Sequence, residues 1–240
     1  MTNQTKLAFI GHSEGATTMF TALTNDVAEW FKERISVFVA IAPVSRMDHM
    51  ESFLLITLGK TNFAINLVKA LGIHEWFAPN LITKLLFEDI CNYITEICEF
   101  NFYLISEGDP SANERKSLRT YLGHFPGGLS VKMVDHELQI YNAKQFQYYD
   151  YGADENIIHY GRTEPPQIDL QKINGIPIAM MVGKADLLGD VTDALWLKDQ
   201  LRDNVFFYKE YQYGSTSFFV AKDMSYLEDL TQILDSYKSL

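Results

Sequence analysis

The sequence predicts an α/β fold, a parallel sheet of about four strands interrupted by a long helical insertion. Three observations carry this. Residues 6–10 (Lys-Leu-Ala-Phe-Ile) and 35–42 (Ile-Ser-Val-Phe-Val-Ala-Ile-Ala) are short apolar runs, of the kind buried on both faces of a parallel sheet. Between them Ala16, Phe20, Leu23, Val27 and Trp30 recur at helical spacing, which predicts an amphipathic helix and so a βαβ unit. Two later apolar runs, 176–182 and 205–211, again flank a helical segment.

The first strand ends at Gly11, the helix follows from about Ala16 to Trp30, and Pro43 stops the second strand. Residues 46–150 hold aromatics, Leu and Ile at helical spacing without β-branched runs. Gly59, Gly72, Pro79, Pro110 and Pro126-Gly127-Gly128 punctuate them, so several short helices are expected. The stretch 161–175, with Pro165-Pro166 and Gly175, reads as a loop returning to the sheet. The strand 176–182 tolerates Pro177 near its start. A helix is expected over 192–201 and a last strand over 205–211. Leu227, Leu230, Ile233, Leu234 and Tyr237 share one face of a closing helix. The chain therefore divides into core (1–45), helical insertion (46–150) and core again (151–240).

The 240 residues carry 20 Lys+Arg against 31 Asp+Glu, a formal charge of −11. That balance argues against nucleic acid as a partner, since phosphates need basic residues, and more weakly against an anionic membrane surface. No run reaches the roughly 20 apolar residues of a membrane span. The first residues show no charged segment followed by an apolar one, so no signal peptide is read there. No metal or cofactor is expected. His136-Glu137 has no second histidine four residues on, and Cys91 and Cys98 have no companions at ligand spacing. The two cysteines are either unpaired core thiols or, in an exported protein, a local disulfide.

The chemistry concentrates in Gly11-His12-Ser13-Glu14-Gly15, a G-x-S-x-G pattern lying between a predicted strand and a predicted helix. A sharp strand-to-helix turn lifts the Ser13 hydroxyl clear of the sheet, and the flanking positions are expected to be small because strand and helix nearly touch. The backbone N–H of Glu14 then points at the same spot and can stabilise an oxyanion. His12 is expected to support the turn. In this chain order an acid should end the strand after the insertion, and Asp186 is there. The histidine that should follow the last strand is absent: histidines stand at 12, 49, 74, 124, 136 and 159, all before Asp186. Without a base the serine is a weak nucleophile. His159 as a substitute base is weighed against a structural histidine, and the run Phe146–Tyr151 is read as packing.

Several collinear blocks resemble the acid lipase family of α/β-hydrolases, the gastric and lysosomal acid lipases. They are Lys6–Thr17, Ala40-Ile41-Ala42-Pro43-Val44, Tyr121–Ser130, Gln145–Gly152, His159–Pro166 and Val182–Leu188. The resemblance implies the C-terminal part of an α/β-hydrolase fold and a carboxylic ester hydrolase acting on triacylglycerols or cholesteryl esters. By it Ser13 is the nucleophile, Asp186 the acid, and residues 46–150 a cap and lid over a lipid ester substrate. Cys91 and Cys98 fall near two cysteines that pair in the family's cap, and the family is secreted or lysosomal. Two departures stand out. Ser215, in Tyr213-Gly214-Ser215-Thr216-Ser217-Phe218, occupies the place of the catalytic histidine. The family's N-terminal half, with the first strands and a His-Gly loop supplying the other oxyanion amide, has no counterpart in this sequence. Three readings follow: an ester hydrolase with impaired catalysis, a non-catalytic lipid- or protein-binding pseudoenzyme, or a truncated gene product. The strand near residues 6–10 is left with an unpaired edge, which implies self-association or pairing with another polypeptide.

Overall fold

Strand β2 (Ile35–Ile41) is buried at every position. That burial explains its unbroken apolar sequence, and it sets the sheet around it. The computed structural model describes residues 5–60, 63–76, 93–122, 124 and 127–238. Strand β1 (Leu7–His12) pairs with β2 in parallel, β2 pairs with β5 (Ile178–Gly183), and β5 pairs with β6 (Val205–Tyr211), all parallel, in the order β1-β2-β5-β6. The four predicted strands are all present.

The period of two along each strand divides the core between the faces. Phe38, Ala40, Ile178, Met180 and Val182 pack on one side with Ala16, Met19 and Phe20 of helix α1 (Glu14–Ala22) and Ala194 and Leu197 of the helix Val191–Leu201. Val37, Val39, Ile41, Ala179 and Met181 pack on the other with Phe218 and with Tyr226 and Ile233 of the closing helix Tyr226–Ser236. Helices on both faces are what continuous apolar strands require. Strand β1 is at the sheet edge, and no described strand pairs with its outer side; Leu7 and Ile10 are exposed there.

One helix differs from expectation. The spacing from Ala16 to Trp30 predicts a single helix, but the chain forms two, α1 and a short helix Ala28–Lys32. The Asn25 side chain accepts from Val27 N at 3.1 Å and the Thr24 hydroxyl donates to the Thr21 carbonyl at 2.8 Å. These local bonds compete with the helical ladder and turn the chain. Between β2 and β5 stand the helices Phe53–Gly59, Phe63–Ala70, Thr95–Ile105, Arg115–Leu122, Val131–Ala143 and Ala153–Tyr160. An antiparallel two-residue ladder, β3 (Glu75–Trp76) with β4 (Leu129–Ser130), was not read from the sequence. The pairing of Cys91 with Cys98 falls outside the described residues.

Candidate active site

Ser13 is the residue between β1 and α1, with φ 51° and ψ −118°. An L-residue rarely adopts this backbone, and it persists only where the surroundings hold it. They do. Ser13 N donates to the Ile41 carbonyl at 2.9 Å, and the Ser13 carbonyl accepts from Ala16 N and Thr17 N. The Thr17 hydroxyl ties α1 to the Val44 carbonyl at 2.8 Å. A Cβ on Gly11 would stand 2.7 Å from the Gly15 carbonyl oxygen, whereas one on Gly15 would meet nothing within 4 Å. The expectation that both flanks must be small is therefore corrected. Only Gly11 is pinched, because strand and helix cross over it, and Gly15 faces open space.

The Glu14 amide is in the first turn of α1, where no intrahelical acceptor exists. Its side chain is partly buried, and burial raises its pKa against a lowering hydrogen bond from Thr18. Glu137, on the helix Val131–Ala143, is pushed up to about 8, first by burial and second by the charge of Glu14. Sequence reading missed Glu137. Its neighbours in the chain give no sign that it shares a site with the elbow, the strand-to-helix turn at Ser13.

Asp186 follows β5 and is 4% exposed. Its Oδ1 accepts from Leu188 N at 2.9 Å and Gly189 N at 3.0 Å. Its Oδ2 is buried without a hydrogen-bond partner. The Ser215 hydroxyl stands close enough to favour the charged form of Asp186, yet makes no well-aligned bond to Oδ2. Burial, the leading cause, pushes Asp186 up to about 7; the two backbone bonds lower it and the charge of Glu107 raises it.

Residue 215 lies beside the elbow. His12 Nε2 is 3.0 Å from the Ser215 carbonyl oxygen, to which it donates. Burial lowers the His12 pKa, so the ring is a neutral brace between β1 and the 214–217 turn, with Phe219 packed at 4.6 Å. The structure thus brings Ser13, Glu14, Asp186 and Ser215 into one neighbourhood at the C-terminal ends of three strands, where open parallel sheets place their sites. His159 instead stacks on Tyr151 at 4.0 Å, within the aromatic group Tyr148, Tyr149, Tyr151 and Tyr160. A second missed residue is Glu107, fully buried and bonded to the 214–217 turn. Among the described residues none of Glu14, Glu107, Glu137 and Asp186 has an ion-pair partner, and no group of three His, Cys, Asp or Glu is placed to hold a metal. A hydroxyl at such a turn, with an amide beside it, can attack an ester carbonyl once a base takes its proton.

No protein-family model matches the chain. It is 28% identical to Lipase member K of Homo sapiens over 98% of the chain and 59% of that protein. It is 31% identical to Lipase lipl-1 of Caenorhabditis elegans over 80% of the chain and 48% of that protein. It is 30% identical to gastric triacylglycerol lipase of Homo sapiens over 87% of the chain and 52% of that protein. The chain spans about half the length of the curated relatives it matches. Among solved structures, a soluble variant of monoglyceride lipase from Saccharomyces cerevisiae superposes with a TM-score of 0.50 at 14% identity, covering 98% of this chain and 63% of that one. That likeness is one of fold.

Proposed function

We propose, for a chain that is an acid lipase-like α/β-hydrolase, that its site is built for carboxylic ester hydrolysis and is impaired by the loss of one group. Ser13 is the nucleophile and Asp186 the acid. The substrate class is an apolar acyl ester, triacylglycerol or cholesteryl ester, and residues 46–150 form the cap over it. Residues 1–45 and 151–240 form the core. The observation that carries this reading is the backbone of Ser13. Its φ of 51° falls where β1 turns into α1, over a glycine with no room for a Cβ, which is the setting a serine nucleophile needs.

In the reaction the Ser13 oxygen attacks the ester carbonyl carbon and the Glu14 N–H stabilises the oxyanion. The alcohol departs with a proton, and water hydrolyses the acyl-serine. Each half-step needs a proton carrier between Ser13 and Asp186. Serine at 215 does not fill that role, which lowers turnover by several orders of magnitude relative to a complete triad.

A second reading, a non-catalytic lipid- or protein-binding chain, is supported by the unpartnered Asp186 Oδ2, which has no imidazole to orient. The exposed outer edge of β1 supports association with a second copy. Labelling with a fluorophosphonate probe separates the readings. We expect weak or no labelling of the parent, none of Ser13→Ala, and strong labelling of Ser215→His. Strong labelling of the parent that survives in Ser13→Ala would sink the assignment of the nucleophile.

A further inference from the structure

The segment Ser106-Glu107-Gly108 runs between the loops that carry Asp186 and Ser215 and is bonded to both. The Ser106 carbonyl accepts from Leu187 N at 3.4 Å and from Ser215 N at 3.3 Å, and Gly108 N donates to the Ala185 carbonyl at 2.7 Å. The Glu107 side chain lies within the 214–217 turn. Its Oε1 accepts from Thr216 N at 2.5 Å and Ser217 N at 3.2 Å. Its Oε2 accepts from the Ser217 hydroxyl at 2.7 Å and Asn113 Nδ2 at 3.3 Å. A Cβ at position 214 would stand 2.5 Å from the Glu107 carboxyl carbon, so the carboxyl in this position needs glycine there or must shift.

A carboxylate buried without a cation is costly unless donors converge on it. Here four do, and two are backbone amides of the turn itself. Two successive amides on one oxygen atom restrict how the turn can rotate about its own axis. In the turn so held, Ser215 lies beside Asp186, whose Oδ2 has no partner. His12, from the elbow side, fixes the same turn through the Ser215 carbonyl.

We propose that Glu107 is a positioning residue: it clamps the 214–217 turn so that residue 215 faces the unpartnered oxygen of Asp186, keeping the place of a proton carrier in register. The proposal rests on the reading of Ser13, Asp186 and position 215 as one hydrolase site, but it concerns geometry and requires no turnover. It also gives Gly214 and Ser217 a purpose. Glycine makes room for the carboxyl and Ser217 donates to it.

The test is solution NMR on the full chain carrying Ser215→His, following the ring N–H of the introduced imidazole. A downfield, exchange-protected ring N–H that disappears when Asp186→Asn is added is expected. Adding Glu107→Ala is expected to abolish it. Adding Glu107→Gln, which keeps an acceptor for Thr216 and Ser217, should preserve it with exchange about tenfold faster. Amide resonances of β2 and β5 report the fold in every variant. A protected signal unchanged by Glu107→Ala in a folded chain would overturn the proposal, as would a folded Ser215→His chain with no protected ring N–H. Should Glu107→Ala unfold the sheet, the glutamine variant decides: faster exchange supports the clamp and unchanged exchange refutes it. Fluorophosphonate labelling is scored separately. An imidazole bonded to Asp186 beside an unlabelled Ser13 sinks the hydrolase reading and leaves the clamp standing.

Discussion

Replacing Glu137 by glutamine isolates the charge problem beside the elbow. Burial and the neighbouring Glu14 push the Glu137 carboxyl from 4.5 up to about 8. At pH 7 the folded chain therefore holds a proton there that the unfolded chain has released. For an acid raised in this way, stability is fully present below the unfolded pKa and is lost as pH rises toward the folded one. The slope is about 1.4 kcal/mol per pH unit. From 4.5 to pH 7 the loss is about 3 kcal/mol. Glu137 keeps some contact with solvent, and screening brings the figure to about 1.5–2 kcal/mol. Glutamine has the shape of the protonated acid and no proton to lose, so Glu137→Gln is expected to stabilise by that amount at pH 7, by more at pH 8, and by nothing near pH 4. The assay is urea unfolding of parent and variant at half-unit intervals across this range. The midpoints should coincide at pH 4 and part by about 1 M at pH 7. Parallel profiles over the whole range would mean that Glu137 is ionised and solvated in the folded chain, and the reasoning from its burial would fall.

The two elbow glycines give a paired test. Gly11→Ala drives a Cβ into the Gly15 carbonyl at 2.7 Å and is expected to cost about 1–3 kcal/mol, while Gly15→Ala meets open space and should change stability by less than about 0.5 kcal/mol. Equal denaturation midpoints for the two variants would show that strand and helix are not pinched there. Leu7→Lys and Ile10→Lys, on the exposed edge strand, are expected to shift the chain toward monomer in sedimentation velocity, because edge lysines block strand pairing; a parent that already sediments as one monomeric species would remove the association reading.

The sheet was legible because its two central strands are buried on both faces. Continuous Val, Ile, Phe and Met have one meaning at that length, and β2 and β5 emerged within two residues of expectation. The helix over Ala16–Trp30 was misread because apolar spacing continues through a turn that Asn25 makes with its own side chain. The β3–β4 ladder was beyond reach of local reading, since each strand has two residues and exists only by virtue of the other. The same distinction governs the site. Ser13 and Glu14 announce themselves because an elbow is a local object, a glycine-flanked turn joining neighbouring elements. Asp186 is found by its place after a recognisable strand. Glu107 sits in Ser-Glu-Gly-Asp-Pro and Glu137 on a polar stretch of helix, contexts that read as solvated surface. Their burial comes from segments about a hundred residues away.

That difference alters what an absent histidine means here. Counting histidines after Asp186 suggests a chain with no group that titrates near neutrality. The folded chain gathers four acids around the elbow and its flanking loops, Glu107 and Asp186 buried, Glu14 and Glu137 partly so, all raised by burial and none paired with a cation among the described residues. Two of them, Asp186 at about 7 and Glu137 at about 8, change charge in the range where an imidazole would. Each lowers stability at neutral pH, because burial disfavours its charged form. The Glu107 oxygens are nevertheless met by donors, two of them amides of the 214–217 turn, so the fold itself offsets part of that cost. Protonation as pH falls relieves the cost at these four groups, while Asp48 and Asp229, lowered by their lysine partners, and the partly buried His12 and His136 lose stability over the same acid range.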